Sequence, residues 1–500
     1  MSKLEVALQK SNEESLACIT KLKTSGDVAN LLEIPEGQLL YILYKKPISL
    51  RYKSFEIKKK TGGYRSIKSP TGGTRILLQK IKTPIQQLYK QKMCVHGFVK
   101  NKSIVSNAKE HKKKRYVLNI DLKDFFGTIN FGRVRGLFMA NPFDMGPQAA
   151  SVMAQLCTYE GVLPQGSPVS PIISNYIAAD LDRKLITLAK KYKVNYTRYA
   201  DDITISSTHR EFPRSLATFQ GNNPITGDVA LSEILIETIK ASGFEINFNK
   251  VRLQIPSVRQ EATGLTVNEF PNVPRKYIRN IRAMINAWST YGIVSAEKKL
   301  IERYAKRPPQ IDSKNLDGSY FKSVLYGRLA FIKMVRGESD DIYMKLCLSA
   351  AALDPSPPKF IQRMKKMHQE YDVFICHASE DKDSVVRPIY NELVKLNIPT
   401  FLDEAEIEWG DSLTAKINHA LGRTKFVLAV LSKHSINKIW PIKEINSALA
   451  REIQGKQKIL PLMVGNPDLT GLALLEDKLY IHWEGDAGAI AEKIEKLLIK

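Results

Sequence analysis

Asp354-Pro355-Ser356-Pro357-Pro358 limits what this chain can fold into more than any other stretch. Proline lacks the N–H that a helix or sheet needs and restricts the residue before it. No regular element is expected to run through these positions, so the apolar segments on either side must close separate cores. A chain of 500 residues is long enough for two to four of them.

The two sides differ in rhythm and in charge. From Tyr371 onward, short β-prone runs ("YDVFIC", "IPTFLDE", "KFVLAVLS", "KILPLMVG", "KLYIHW") alternate with helix-like stretches such as "DKDSVVRPIYNELVKLN". That alternation predicts a parallel sheet covered on both faces. This part carries 16 basic and 19 acidic side chains, against 59 and 32 in the first 370 residues. The excess clusters in "EIKKKTGGYRSIK", "HKKKR" and "PRKYIRNIR", the footprint of a nucleic-acid-binding front part. The expected layout is an N-terminal helical segment (1–50), a mixed α+β region (51–265), a helical region (266–352), a linker (353–370) and an α/β domain (371–500). In the helical region Ile278, Ile281, Ile285 and Trp288 share one face, while Arg275, Arg279 and Arg282 form another stripe, either a solvated face or an RNA contact.

Five scattered cysteines without C-x-x-C predict neither disulfides nor a zinc site. No apolar run of 18 residues and no secretory leader appear. The expectation is a cytoplasmic protein with no membrane span.

Within the front part, "YADD" places Asp201 and Asp202 side by side between two strand-like runs, and the apolar run Tyr116–Ile120 delivers Asp121. Carboxylates gathered in this way suit a hard cation that keeps oxygen ligands and binds phosphates. "LPQGSPVSPIISN" adds Gln165 as a hydrogen-bonder and Gly166 as a point of close backbone approach to a ligand.

In that order, Asp121 with its aromatic neighbours, L-P-Q-G-S-P-x-S-P and Y-A-D-D resemble a bacterial-type reverse transcriptase. The resemblance implies a right-hand fold of fingers, palm and helical thumb. It also implies two Mg²⁺ ions on Asp121, Asp201, Asp202 and the backbone of Leu122, with dNTPs as substrates. Phe126 matches the bulky residue that excludes a ribose 2′-OH, or is a plain core phenylalanine. Arg65 matches a basic fingers residue that reaches the triphosphate. N-A-x-x-H at Asn107–His111, and T-G at Thr263-Gly264 preceded by Ala262, resemble segments typical of retron reverse transcriptases. They imply a structured noncoding RNA partner, contacted by Asn107 and His111, and a single-stranded DNA product. A group II intron-like mobile-element enzyme is the alternative.

"YDVFICHASEDKD", "FLDEAEIEWGDSL" and the W-x-x-x-E of Trp440 and Glu444 resemble a Toll/interleukin-1 receptor (TIR) domain, a flavodoxin-like doubly wound fold. The resemblance implies NAD⁺ consumption centred on Glu444, with Ala378, Ser379 and Trp409 around the ligand, homo-oligomerisation, and anti-phage defence by abortive infection. Glu444 is expected in the first turn of a helix begun by Pro441. A non-catalytic assembly module is the second reading of this domain.

Overall fold

The computed structural model describes residues 8–58, 62–220, 228–304, 316–367, 371–402, 417, 420–422, 424–455, 457–469, 472, 475 and 478–499. The chain forms two compact units, Met1–Leu353 and Asp354–Lys500.

The first unit opens with short helices, among them Asn12–Ile19 and Ser25–Leu32. A hairpin follows, β1 (Tyr52–Lys58) with β2 (Tyr64–Pro70), paired antiparallel from Tyr52↔Pro70 to Lys58↔Tyr64. The central sheet is built from β3 (Tyr116–Lys123), β4 (Asn195–Tyr199), β5 (Asp202–Ser207), β8 (Glu245–Ile246) and β9 (Arg252–Gln254), in the order β4-β5-β3-β8, with β9 also on β3. Two small hairpins complete the strands: β6 (Ala217–Phe219) with β7 (Val229–Leu231), and β10 (Glu261–Ala262) with β11 (Leu265–Thr266). Leu118, Ile120 and Leu122 of β3 are buried and join one large core with helices before and after the sheet. An antiparallel sheet carrying helices, with a separate hairpin ahead of it, fits palm and fingers. From residue 275 to 353 the described elements are all helices. The first, Arg275–Tyr291, buries Ile278, Ile281, Ile285 and Trp288, as the spacing predicts, buries Met284 as well, and leaves Arg275, Arg279 and Arg282 exposed.

The second unit is a wholly parallel sheet of β12 (Tyr371–Cys376), β13 (Thr400–Phe401), β14 (Thr424–Leu431), β15 (Lys458–Met463) and β16 (Ile481–His482), in the order β13-β12-β14-β15-β16. Alternate residues of β14 feed two cores: Val427, Ala429 and Leu431 meet the helix Ile439–Ile453, while Leu428 and Val430 meet helices Arg387–Lys395 and Ala487–Ile499. This is the doubly wound arrangement, and the strand order reverses between β12 and β14, where such folds bind ligands. Among the described residues no helix is long and apolar enough to cross a membrane.

Candidate active sites

In the first unit the antiparallel register sets Asp121 of β3 directly opposite Asp202 of β5. The β4–β5 turn supplies Asp201, whose carbonyl accepts from the Leu122 N–H at 3.0 Å, so turn and strand are joined by the backbone. Ala200, before the pair, has φ 57°, the left-handed region that is strained for a residue with a Cβ. Burial, reinforced by Asp121, raises the Asp201 carboxyl above its usual range. Asp202 is pushed up to about 7, by burial first and then by Asp201 and Asp121. Like charges held this close favour a cation between them.

Two partners of Asp121 are illegible in the sequence. Asn247 Nδ2 donates to Oδ1 at 3.1 Å, and Lys250 Nζ reaches both oxygens at 2.9 and 2.8 Å. They arrive because β8 pairs Ile246 with Leu122, bringing the following turn onto the strand end. Among the described residues no three acidic, histidine or cysteine side chains close on one point as a metal-holding group. The oxygen-only donor set and the mutual repulsion of the three aspartates nevertheless fit a hard cation.

The loop with Gln165 and Gly166 packs on the fingers hairpin: the Lys68 N–H donates to the Gln165 carbonyl at 2.7 Å. Gly166 has φ 116°, and a Cβ there would lie 2.9 Å from Ile67 Cγ2 and 3.0 Å from the Lys68 carbonyl. Its close approach is thus to β2 rather than only to a ligand, a correction to the expected role. Arg65, exposed on β2, sits near enough to Asp201 to favour that carboxylate's charged form. Phe126 is half-buried, its ring 5.4 Å from Phe125 and 6.4 Å from Phe98. The structure therefore gathers Asp121, Leu122, Asp201, Asp202 and Arg65, and docks Gln165 and Gly166 on the Arg65 strand.

Asn107 and His111 sit elsewhere. Ser103 caps the helix Ile104–Glu110 and fixes its direction. Asn107 on that helix is fully buried, with Nδ2 3.5 Å from Thr263 Oγ1, so N-A-x-x-H meets the T-G segment. His111 just after it is also fully buried, its ring nitrogens 2.7 Å from Ser206 Oγ and 2.7 Å from Thr197 Oγ1. Burial pulls the imidazole down to about 3, so it stays neutral. The expected direct RNA contact by these side chains is corrected: they tie the helix to β4, β5 and the β10–β11 hairpin. What they place outward is the "KKKR" that follows, whose Lys113 N–H bonds the Val267 carbonyl and whose Lys114 and Arg115 carbonyls accept from Gln260 Nε2. Lys112, Lys113 and Arg115 are exposed.

In the second unit, Glu444 lies in the helix Ile439–Ile453, two residues further in than expected and beyond the first turn, because the helix begins at Ile439 with Pro441 inside its first turn. Proline is tolerated there since its missing N–H would have no helical partner. A dipole-capping role, which acts within the first turn, thereby loses ground. Glu444 is 9% exposed and contacts Cys376 at the carboxyl end of β12. Burial, with Glu444 second, raises the Cys376 thiol well above its usual value, so it remains a protonated donor. Ala378 is buried, and Ser379 is exposed beside it. Lys438 Nζ donates to Ser379 Oγ at 3.0 Å and to both Glu380 oxygens at 2.7 and 2.6 Å, tying the loop after β12 to the start of the Glu444 helix. Trp409 lies outside the described residues.

Comparison with known proteins matches residues 57–267 to the family "Reverse transcriptase (RNA-dependent DNA polymerase)" and residues 373–498 to "TIR domain". The chain is 31% identical over 284 residues to the retron Mx65 reverse transcriptase of Myxococcus xanthus, covering 53% of this chain and 62% of that one. It is 28% identical over 261 residues to the retron Ec86 reverse transcriptase of Escherichia coli, covering 52% and 76%. Over 96 residues it is 41% identical to the NAD(+) hydrolase TcpA of Theionarchaea archaeon (strain DG-70-1), covering 19% of this chain and 29% of that protein. The chain spans about three fifths of the two Myxococcus retron enzymes it matches. It carries a reverse transcriptase domain related to those of retrons, followed by a TIR domain.

Proposed function

We propose that the first unit is an RNA-directed DNA polymerase that copies part of a structured noncoding RNA into single-stranded DNA, and that the TIR domain is a NAD⁺-consuming effector. The observation that carries the polymerase reading is the register pair Asp121↔Asp202 with Asp201 at the adjoining turn. Asp121, Asp201 and Asp202, with the Leu122 backbone, would hold two Mg²⁺ ions. Bound there, the cations supply charge neutralisation for the attacking 3′-oxygen and the leaving pyrophosphate. Arg65 would meet the triphosphate, Gln165 and Gly166 would keep the fingers strand seated over it, and Phe126 would stand against a ribose 2′-OH. Exposed Arg275, Arg279, Arg282 and the "HKKKR" segment would track RNA phosphates. Asp201→Asn and Asp121→Asn are each expected to abolish primer extension on an RNA template without shifting the melting curve. Extension at the wild-type rate by either variant would sink the two-metal assignment.

The TIR reading rests on Glu444, a buried carboxylate at the carboxyl edge of the sheet. Breaking the nicotinamide–ribose bond develops positive charge on the sugar, which a carboxylate in a water-poor site stabilises. The Cys376 thiol, which donates to the Pro441 carbonyl at 3.5 Å, stays protonated beside that carboxylate, and Ala378 and Ser379 would line the ligand edge. Glu444→Gln should reduce NAD⁺ consumption by about 10²–10³-fold, read as NAD⁺ remaining over time. Unchanged consumption would remove Glu444 from the chemistry. Absence of consumption by the wild-type chain under any trigger would favour the assembly module. In the full reading the protein works in the cytoplasm as a homo-oligomer, the RNA–DNA product restrains the TIR domain, and phage infection releases it.

A further inference from the structure

Beneath the aspartate turn lies a buried ion pair that the polymerase chemistry itself does not use. Arg198 on β4 is fully buried. Its Nε donates to Asp182 Oδ1 at 2.8 Å and its Nη2 to Asp182 Oδ2 at 2.9 Å, a two-pronged pair with no solvent access on either side. Tyr196 Oη donates to the same Oδ1 at 2.7 Å. The remaining nitrogen, Nη1, donates to Asn175 Oδ1 at 3.2 Å and to the carbonyl of Ala200 at 3.1 Å. Asn175 is the last residue of the L-P-Q-G-S-P-V-S-P-I-I-S-N segment, and its Nδ2 donates to the Gly97 carbonyl at 2.9 Å. Gly97 in turn lies against the aspartate turn, where a Cβ would stand 2.5 Å from the Ala200 nitrogen.

Three facts set the energetic problem. A buried ion pair is weak evidence for stability, because the desolvation of two charges offsets most of their attraction. Ala200 occupies the left-handed region, which is strained for a residue with a Cβ and persists only where the surroundings over-determine it. Asp201 and Asp202, which follow, must hold a fixed separation from Asp121 on the neighbouring strand. A guanidinium answers all three demands, since its rigid fork of donors reaches one carboxylate, one amide and one backbone carbonyl at once. A lysine ammonium at the end of a flexible stem cannot span the same set.

We propose that Arg198 and Asn175 are positioning residues for the polymerase site: together they lock the Ala200 turn and couple it to the Gln165–Gly166 segment, so that packing against the fingers hairpin and the spacing of the aspartates are set as one unit. Neither residue touches the reacting atoms. The proposal rests on the polymerase reading for its effect on rate, but not for its effect on the turn.

The test uses the full-length chain and two variants. Arg198→Lys keeps the charge opposite Asp182 and removes the fork, while Asn175→Ala leaves the ion pair intact and removes only the bridge. Hydrogen exchange of the peptide spanning residues 196–203 is followed beside melting and primer extension. Both variants are expected to speed exchange at the turn by at least about tenfold while the β3 peptide keeps its protection. The kcat of extension is expected to fall by about 10²-fold, with KM for the dNTP within about threefold of wild type. A purely structural role would instead lower the melting temperature and the active fraction together, with turn and β3 exchange rising in parallel, and would overturn the proposal. Wild-type exchange, wild-type kcat or loss of folding in both variants would overturn it equally. A wild-type chain without polymerase activity would defeat the polymerase reading, and the exchange measurement would still decide whether Arg198 holds the turn.

Discussion

His111 separates two accounts of the N-A-x-x-H segment, and His111→Ala is the perturbation that tells them apart. The imidazole is fully buried and bonds Ser206 and Thr197 on adjacent strands. Truncation leaves two hydroxyls at 0% and 3% exposure without their partner. Each unsatisfied group costs roughly 1–3 kcal/mol, and the vacated ring adds a cavity. A total of about 3–5 kcal/mol follows, within the range for large-to-small core changes. That should speed exchange of the β3 and β5 amides by roughly a hundredfold to several thousandfold, since each 1.4 kcal/mol is a factor of ten. His111→Gln, which can still bond one strand, should cost about half as much.

The pH dependence provides an internal check. The folded imidazole lies at about 3 against about 6.5 when unfolded, and burial is the cause. A base depressed in this way leaves stability intact above about 6.5 and withdraws it as the pH falls toward 3. Between pH 6.5 and 5 the loss reaches about 2 kcal/mol, at 1.36 kcal/mol per pH unit. Exchange protection in the wild type should therefore fall across that window, and the gap to His111→Ala should narrow. His96, depressed to about 4 by its own burial, adds a fall of nearly the same size over that window, shared by both proteins. If His111→Ala leaves β3 and β5 exchange untouched yet weakens binding of the cognate RNA, the interior role is wrong and the direct contact stands.

Gly166→Ala forces a Cβ toward Ile67 and the Lys68 carbonyl from a backbone at φ 116°, at a cost of about 1–3 kcal/mol. The KM for dNTP in steady-state extension should rise as the fingers strand lifts, and a wild-type KM would contradict the packing argument. Replacing Arg275, Arg279 and Arg282 together by Gln should flatten the plot of log affinity for RNA against log salt by about 2–3, at ~0.7–0.9 per lost phosphate contact. An unchanged slope would return that stripe to an ordinary solvated face.

Local pattern made much of this protein legible. The proline break at 354–358, the strand–helix alternation beyond it and the apolar face of Arg275–Tyr291 are all near-neighbour features, written in periodicity and backbone restriction. So is the delivery of Asp121, since an apolar strand ending in an acid needs no distant partner to be read. What eluded sequence reasoning depends on residues far along the chain. Whether Asn107 and His111 face solvent is decided by Thr263, Thr197 and Ser206, which lie 86 or more positions away. Their polarity suggested a surface, and only strand hydroxyls folded over them allow burial at little cost. Glu444 moved two residues, out of the first turn, because proline fits any position of a first turn, so the sequence around Pro441 does not fix where the helix begins. Lys250 reached Asp121 only through the pairing of β8 with β3. Motifs single out which carboxylates to test, because the proposed chemistry demands those residue types. Tertiary structure alone decided what holds them, because a buried hydrogen bond is settled by whichever partner the rest of the fold brings within 3 Å.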